Sequence, residues 1–227
     1  MIAQILILLL AIVPGLLICW YIYKLDKYEK EPTWPLIIAF FIGVLLTLPA
    51  FKIEAWASQS GWDETAYVGT ALLASFIVVA LTEEALKYLA LRIYPTQQSF
   101  FNEPMDGIVY AVMLGMGFAT VENIIYAVRY GIETTVLRNL TAVPAHAAFA
   151  IIMGYFIGLA KFSKEGRQLK WSLGLLIPFL LHGTYDFFIL QEIYDGLMIL
   201  ALFTLGYSLY LSRRLVLLHQ ENSPFHD

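Results

Sequence analysis

Ionisable residues interrupt four segments that are otherwise apolar enough to lie in a membrane. They are Glu83, Glu84 and Lys87 in LTEEALKYLALR, Glu122 in GFATVEN, His146 in AVPAHAAF, and His182 with Asp186 in LLHGTYDF. An Asp, Lys or Arg at the centre of a membrane helix costs about 2.5–3.5 kcal/mol on insertion scales, and such residues usually mark functional sites. We therefore expect the function of this chain to lie where these side chains meet.

The first group places two acids beside one base. Glu83 and Lys87 are four residues apart and share a helical face, and Glu84 lies three residues before Lys87. An ion pair within the helix accounts for one glutamate and the lysine. Adjacent residues point about 100° apart on a helix, so we expect one of the two glutamates to face a polar interior.

The other acids have two interpretations each. Glu122 has no basic residue nearby in its apolar segment, so it either faces the bundle interior or, when protonated, bonds a neighbouring backbone group. His182 and Asp186 are four residues apart on one helical face. This spacing suits an aspartate that orients an imidazole, a pair of metal ligands, or a structural pair that closes the bundle.

Three further residues lie close to these groups. His146 follows Pro144 and is either a substrate-binding group or a polar residue satisfied by its neighbours. Arg138 either pairs with an acid or binds a substrate carbonyl. Asp106 precedes Gly107, and we interpret it as the N-cap of a helix rather than as a catalytic group.

Together these residues predict a site that activates water. A buried glutamate is a credible general base, and an imidazole is a donor for an oxyanion or a leaving amine. The carboxylates and imidazoles also leave open a Zn²⁺ site, although the sequence is equally compatible with no cofactor. No H-E-x-x-H, G-x-S-x-G or G-x-G-D motif points to a zincin, serine or aspartyl protease.

The composition is that of an integral membrane protein. Hydrophobic residues make up 59% of the 227 residues and charged residues only 14%, against about 25% charged in soluble domains. No basic stripe suggests a nucleic acid as partner. The single cysteine, Cys19, excludes an internal disulfide.

The apolar pattern predicts an all-α bundle of about seven transmembrane spans in one domain over residues 1–227. The predicted spans are Ile2–Tyr23, Trp34–Phe51, Ala66–Tyr94, Asp106–Val128, Leu140–Ala160, Trp171–Leu190 and Gly196–Leu211. We expect the first span to be retained, because Met1–Tyr23 lacks the basic start of a signal peptide. The distribution of Lys and Arg over the connecting segments favours an N-out, C-in orientation, provided that the number of spans is odd.

Three motifs in this order resemble a known family. Glu83-Glu84-x-x-Lys87, Phe118-x-x-x-Glu122 and His182-x-x-x-Asp186 are similar to the motifs of the PrsW family of bacterial intramembrane proteases. That family is related to the CAAX prenyl endopeptidases, which have a histidine where this chain has Glu122. One imidazole is therefore missing from the CAAX pattern unless His146 replaces it.

The resemblance implies a multi-pass protease of the bacterial cytoplasmic membrane that makes the first cut in a membrane-anchored anti-sigma factor. It also implies a set of catalytic residues and makes the neighbouring polar residues candidates for substrate binding. The catalytic set is Glu83, Glu84, Glu122, His182 and Asp186, and the binding set is Lys87, Arg138 and His146. If a metal is present, its ligands come from Glu83, Glu122, His182 and Asp186. The alternative from another class is a proton- or ion-coupled transporter, which uses buried ionisable residues of the same kinds.

Overall fold

The computed structural model describes residues 2–225, with side chains from residue 4 onward. Regular structure within this range is entirely helical, which confirms the predicted all-α fold. The helices are α1 (Ile2–Leu25), α2 (Thr33–Gln59), α3 (Val68–Leu72), α4 (Thr82–Ile93), α5 (Pro104–Leu140), α6 (Ala142–Phe162), α7 (Arg167–Leu190) and α8 (Met198–Glu221). The expected domain over residues 1–227 also includes residues 1, 226 and 227, which lie outside the described range.

Within residues 2–225, six helical segments are long and apolar enough to cross a membrane, not the seven predicted. They are Gln4–Leu25, Thr33–Gln59, Val68–Gln97, Pro104–Phe162, Arg167–Leu190 and Asp195–Glu221. The difference arises because the two spans predicted at Asp106–Val128 and Leu140–Ala160 belong to one 59-residue helical segment. Within that segment α5 and α6 are separated only at Thr141, and they pack against each other.

Helix α5 is the centre of the bundle, and its residues 105–120 are buried. It packs against α1, α2 and α6, and small residues allow the close approach. A Cβ atom on Gly107 would lie 2.3 Å from the carbonyl oxygen of Gly154, and one on Gly117 would lie 2.0 Å from that of Phe40. The sequence therefore places glycine where backbone meets backbone.

A kink in α5 brings its last part back towards the bundle. Gly131 has φ +82° and ψ −164°, a conformation that only glycine adopts readily. The helical residues after Gly131 lead to Thr141, where α6 begins. This change of direction brings Arg138 into contact with Glu122, which lies sixteen positions earlier in the chain.

Two elements differ locally from the sequence prediction. The predicted span Trp34–Phe51 ends before Glu54, but α2 continues through Gln59 and carries Glu54 into the bundle. The predicted span Ala66–Tyr94 is helical over Val68–Ile93, with a π-helical stretch at Leu73–Leu81. π-Helical stretches are frequent at functional sites, and this one ends two residues before Glu83.

Candidate active site

The eight residues predicted from the sequence to be catalytic or substrate-binding converge in one cluster. Four helices supply them, and the contacts form a continuous chain from one residue to the next. Helix α4 supplies Glu83, Glu84 and Lys87, α5 supplies Glu122 and Arg138, α6 supplies His146, and α7 supplies His182 and Asp186.

Lys87 lies at the centre of this cluster. Its Nζ donates hydrogen bonds of 2.9 Å to Glu83 Oε2 and 2.9 Å to Glu84 Oε1. The sequence predicted an ion pair with one glutamate only, but the ammonium group lies between the two carboxylates and binds both. It also lies 4.4 Å from the ring centroid of Phe118, a cation–π contact in a desolvated place.

Glu122 has two partners that are distant in sequence. His146 Nε2 lies 2.8 Å from Glu122 Oε2, and Arg138 Nη2 lies 2.8 Å from Glu122 Oε1. The sequence showed no base near Glu122, because its cation arrives through the kink in α5. Arg138 is positioned by Asn123, whose Oδ1 accepts a hydrogen bond from Arg138 Nε and whose Nδ2 donates to the carbonyl of Ala11.

The contacts of His146 define its tautomer. Its Nδ1 lies 3.4 Å from Lys87 Nζ, which carries only donors, so Nδ1 accepts. Its Nε2 then carries the proton and donates to Glu122. His146 is thus a neutral imidazole whose unprotonated nitrogen points to the lysine and the glutamate pair.

His182 is held between two carboxylates. Its Nδ1 lies 2.9 Å from Glu84 Oε1, and its Nε2 lies 3.1 Å from Asp186 Oδ2. Because both nitrogens face acceptors, this network favours the doubly protonated imidazolium. The ring is fixed by stacking on Phe149 at a centroid distance of 5.0 Å and by an edge contact with His146 at 5.3 Å.

A cavity of about 270 Å³ opens onto one side of the cluster. Glu83, Glu122, Arg138, His146, His182 and Asp186 line it, whereas Glu84 and Lys87 lie behind them. The side chain of Glu84 is 1% exposed and that of Glu83 is 4% exposed. Of the two adjacent glutamates, Glu83 is therefore the one that borders space for a substrate and water.

Sequence reasoning missed Glu54. This residue of α2 lines the same cavity, and its Oε1 is buried without a hydrogen-bond partner. Its position three residues after Phe51 in the run FKIEAW looked like the end of a span, and no base or histidine at helical spacing drew attention to it. The signal that would have found it is the C-terminal extension of α2, which continues eight residues past the predicted end at Phe51.

The cluster carries more acids than fixed cations. Five carboxyl groups, those of Glu54, Glu83, Glu84, Glu122 and Asp186, lie in or beside the cavity with two permanently charged bases, Lys87 and Arg138. Buried carboxylates need a compensating proton, base or metal ion. The surplus indicates that protons or a cation complete the site.

The donors also fit a transition-metal ion. Glu83, Glu84, His146 and His182 each offer a ligand atom within 4.8 Å of the others, and two imidazoles with carboxylates suit Zn²⁺. Glu84 Oε2 is buried without a partner. Both imidazoles present Nδ1 to the glutamates while Nε2 contacts Glu122 or Asp186, which is the outer carboxylate contact typical of metal-binding histidines. The Lys87 ammonium, which contacts both glutamates, competes for the same donors.

Comparison with known proteins identifies a family with this architecture. Residues 31–211 match the family described as "PrsW family intramembrane metalloprotease". Proteins named "Protease PrsW" are 37% identical in Geobacillus kaustophilus, over 84% of this chain and 84% of that protein, and 37% identical in Bacillus subtilis, over 78% and 79%. The protein of that name in Oceanobacillus iheyensis is 40% identical over 80% of this chain and 81% of its own length.

No solved structure matches the chain. The family match covers most of the sequence, and the relatives align over about four fifths of both partners. The six apolar helical segments agree with a multi-pass protein of the bacterial cytoplasmic membrane. The chain therefore belongs to the PrsW family of intramembrane proteases.

Proposed function

We propose that this protease hydrolyses a peptide bond in a membrane-anchored anti-sigma factor at the cluster of acids and imidazoles described above. The observation that carries the proposal is the convergence of four helices on one cavity lined by Glu83, His146 and His182. General bases and proton donors must lie within reach of one bound peptide group. If these residues formed separate packing pairs on different helices, a base and a proton donor would not reach the same peptide group.

Glu83 is the general base in this proposal. It lines the cavity, and Lys87 binds its Oε2 and holds the carboxylate in place. Lys87 therefore has a positioning role, because it lies behind the cavity rather than on its wall. Glu83 takes a proton from a water molecule as the water oxygen attacks the scissile carbonyl.

His182 is the proton donor to the leaving amine. Asp186 and Glu84 hold its ring between them and stabilise the imidazolium. On the opposite wall Arg138, fixed by Glu122 and Asn123, donates to a substrate carbonyl. In the metal-dependent alternative, Zn²⁺ held by Glu84, His146 and His182 would supply Lewis-acid polarisation of the scissile carbonyl, and His182 would then be a ligand instead of the proton donor.

The location of the cavity fits a cut outside the hydrocarbon centre. Its walls include Thr134 and Thr141 from the last part of α5 and the connection to α6, and Glu54 near the end of α2. In the proposed N-out, C-in orientation, α5 and α6 run antiparallel and each cross the membrane, and these segments lie on the extracytoplasmic side. An anti-sigma factor would enter with its transmembrane helix in the bilayer and its juxtamembrane segment in the cavity.

Reconstituted purified protein tests this proposal. The substrate is an anti-sigma factor with one transmembrane helix and a fluorophore on its extracytoplasmic part, and the products are identified by mass spectrometry. We expect the wild-type protein to release the fluorophore and Glu83→Gln to lose at least about 100-fold in rate, a size typical of general-base removal. Glu192→Gln, a change outside the cavity lining, is the matched control.

A chelator arm separates the two catalytic types. Loss of cleavage after chelation, with recovery on addition of Zn²⁺, supports the metal-dependent type, and unchanged cleavage supports the glutamate type. Absence of any cleavage product from the wild-type protein, with and without Zn²⁺, would refute the proposal.

A further inference from the structure

A second group of acids lies far from the cavity, at the end of the bundle where α1 leaves and α5 begins. It consists of Asp26, Glu29 and Glu31 in the connection between α1 and α2, and Glu103 and Asp106 at the start of α5. We call these five residues the α1–α5 acid cluster. The C-terminal segment closes over it, because Ser223 Oγ donates a hydrogen bond to Glu103 Oε2.

Capping of α5 explains part of this cluster. Asp106 was expected to be the N-cap, but Glu103 is the N-cap and Asp106 is the third helical residue of a capping box. Asp106 Oδ2 accepts hydrogen bonds from the backbone N–H groups of Asn102 and Glu103, at 2.6 and 2.8 Å. These bonds use one oxygen, and Oδ1 is buried and receives no hydrogen bond from an N–H or hydroxyl group.

The neighbouring acids have the same unused oxygens. Glu31 Oε2 accepts a hydrogen bond from the hydroxyl of Tyr110, and Asp26 Oδ2 accepts one from the backbone N–H of Glu31. Glu31 Oε1, Asp26 Oδ1 and Glu29 Oε2 are also buried and receive no hydrogen bond from such a group. Asp26 and Glu31 are each 1% exposed and Asp106 is 0% exposed. Four of the ten carboxylate oxygens in this cluster are therefore buried without a hydrogen-bond donor.

The bases beside the cluster do not pair with its acids. Lys30 Nζ donates to the carbonyls of Tyr23 and Asp26, and Lys161 Nζ donates to that of Phe101. All seven ion pairs found among residues 4–225 lie among the eight residues of the candidate active site, which we call the proteolytic cluster.

We propose that Glu29, Glu103 and Asp106 bind a hard divalent cation, Mg²⁺ or Ca²⁺, at this end of the bundle. These three side chains offer oxygens within 4.8 Å of one another. The donors are carboxylates without cysteine or histidine, and Mg²⁺ and Ca²⁺ prefer such all-oxygen sites. The unpartnered oxygen of Glu29 is available without breaking the capping bonds, whereas a cation at Asp106 would replace the side-chain hydrogen bond between Asp106 and Glu31.

The site is distinct from the proteolytic cluster in chemistry and in structural effect. Its ligands join the segment after α1 to the start of α5, and Ser223 connects the chain beyond α8 to the same point. A cation would therefore tie together three parts of the chain that are far apart in sequence. Its expected effect is on stability, so peptide cleavage is not the readout.

Thermal unfolding of the full-length protein in nanodiscs tests this inference. After treatment with EDTA, Mg²⁺ and Ca²⁺ are titrated separately at pH 7.5. We expect one of them to raise Tm by roughly 5–10 °C at a hundredfold excess over its Kd. Mn²⁺ binding followed by electron paramagnetic resonance gives the stoichiometry on the wild-type protein and needs no variant.

Variants locate the effect. Asp106→Asn and Glu103→Gln should abolish the rise in Tm. Glu29→Gln, a change at a half-buried residue with little risk to folding, should increase at least tenfold the cation concentration that gives half of the rise in Tm. Glu165→Gln, at an exposed acid after α6, and Glu84→Gln, in the proteolytic cluster, should leave the response in place.

Two results would overturn the inference. One is a wild-type Tm that responds to acidification but not to Mg²⁺, Ca²⁺ or Mn²⁺, which would mean that protons alone satisfy the acids. The other is a response to these ions that Glu84→Gln abolishes and Glu29→Gln leaves intact, which would place the ion at the proteolytic cluster.

Discussion

Replacing Lys87 by methionine removes the ammonium group that binds both Glu83 and Glu84. Glu84 keeps a second partner, because His182 Nδ1 lies 2.9 Å from its Oε1. The nearest remaining group to Glu83 Oε2 is His146 Nδ1 at 4.0 Å, which is itself an acceptor and does not replace the ammonium. The uncompensated charge in Lys87→Met therefore falls mainly on Glu83.

The expected cost follows from the burial of this pair. The side chains of Lys87 and Glu83 are 5% and 4% exposed, and removing one partner of a buried ion pair costs about 3–5 kcal/mol. This corresponds to a change of roughly 10²–10⁴ in the ratio of folded to unfolded protein. Glu83→Gln should cost less, about 1.5–3 kcal/mol, because it removes a charged hydrogen bond and leaves no unpaired acid.

A double-mutant cycle measures the interaction. Lys87→Met, Glu83→Gln and the double variant are unfolded reversibly in mixed micelles at pH 8, where a free carboxyl group ionises. We expect the double variant to be less destabilised than the sum of the single variants by about 1–3 kcal/mol. Lys52→Met, a change at an exposed lysine, is the control and should alter stability by less than about 0.5 kcal/mol. Additive costs for Lys87→Met and Glu83→Gln would refute the central position of the lysine.

Three further changes test other parts of the site and fold. Arg138→Met should destabilise the protein by about 3–5 kcal/mol, since it leaves Glu122 without its cation, and equal stability of Arg138→Met and wild type in the same assay would contradict the pair. Gly107→Leu should prevent folding or lower Tm by at least 10 °C, because even a Cβ would lie 2.3 Å from the carbonyl oxygen of Gly154; a Tm within 2 °C of wild type would show that α5 and α6 are not in backbone contact. Glu54→Gln should leave Tm unchanged or raise it, because Oε1 of this acid has no partner to lose, and a clear loss of Tm would mean that Glu54 is paired.

The sequence predicted the members of the site better than their pairing. Helical spacing predicts the contacts Glu83–Lys87 and His182–Asp186, because both lie within a single helix. It cannot predict that Arg138 reaches Glu122, because that contact depends on the φ of +82° at Gly131. Local spacing fixes neighbours on one face, and contacts between helices depend on kinks and packing.

The fold likewise has some features that the sequence predicts locally and others that it does not. Composition and apolar run length predict the membrane helices, since an apolar stretch of about 20 residues suffices to cross a bilayer. They do not predict that α2 extends to Gln59, because its last turns are polar enough to resemble an interfacial segment. For this reason Glu54 was missed. The N-cap of α5 was also misassigned by three residues, because Glu103, not Asp106, precedes the first helical residue.

Single-turnover cleavage by Glu83→Gln, compared with wild type and with Glu192→Gln, tests the proposed active site most directly. Both variants are reconstituted in nanodiscs with the membrane-anchored anti-sigma factor in the cavity-accessible orientation, and their Tm values are checked first. We predict that Glu192→Gln cleaves within about twofold of the wild-type rate and that Glu83→Gln, folded and substrate-bound, cleaves at least about 100-fold more slowly. Cleavage by Glu83→Gln within a few-fold of wild type would contradict the assignment of this cavity as the place of hydrolysis.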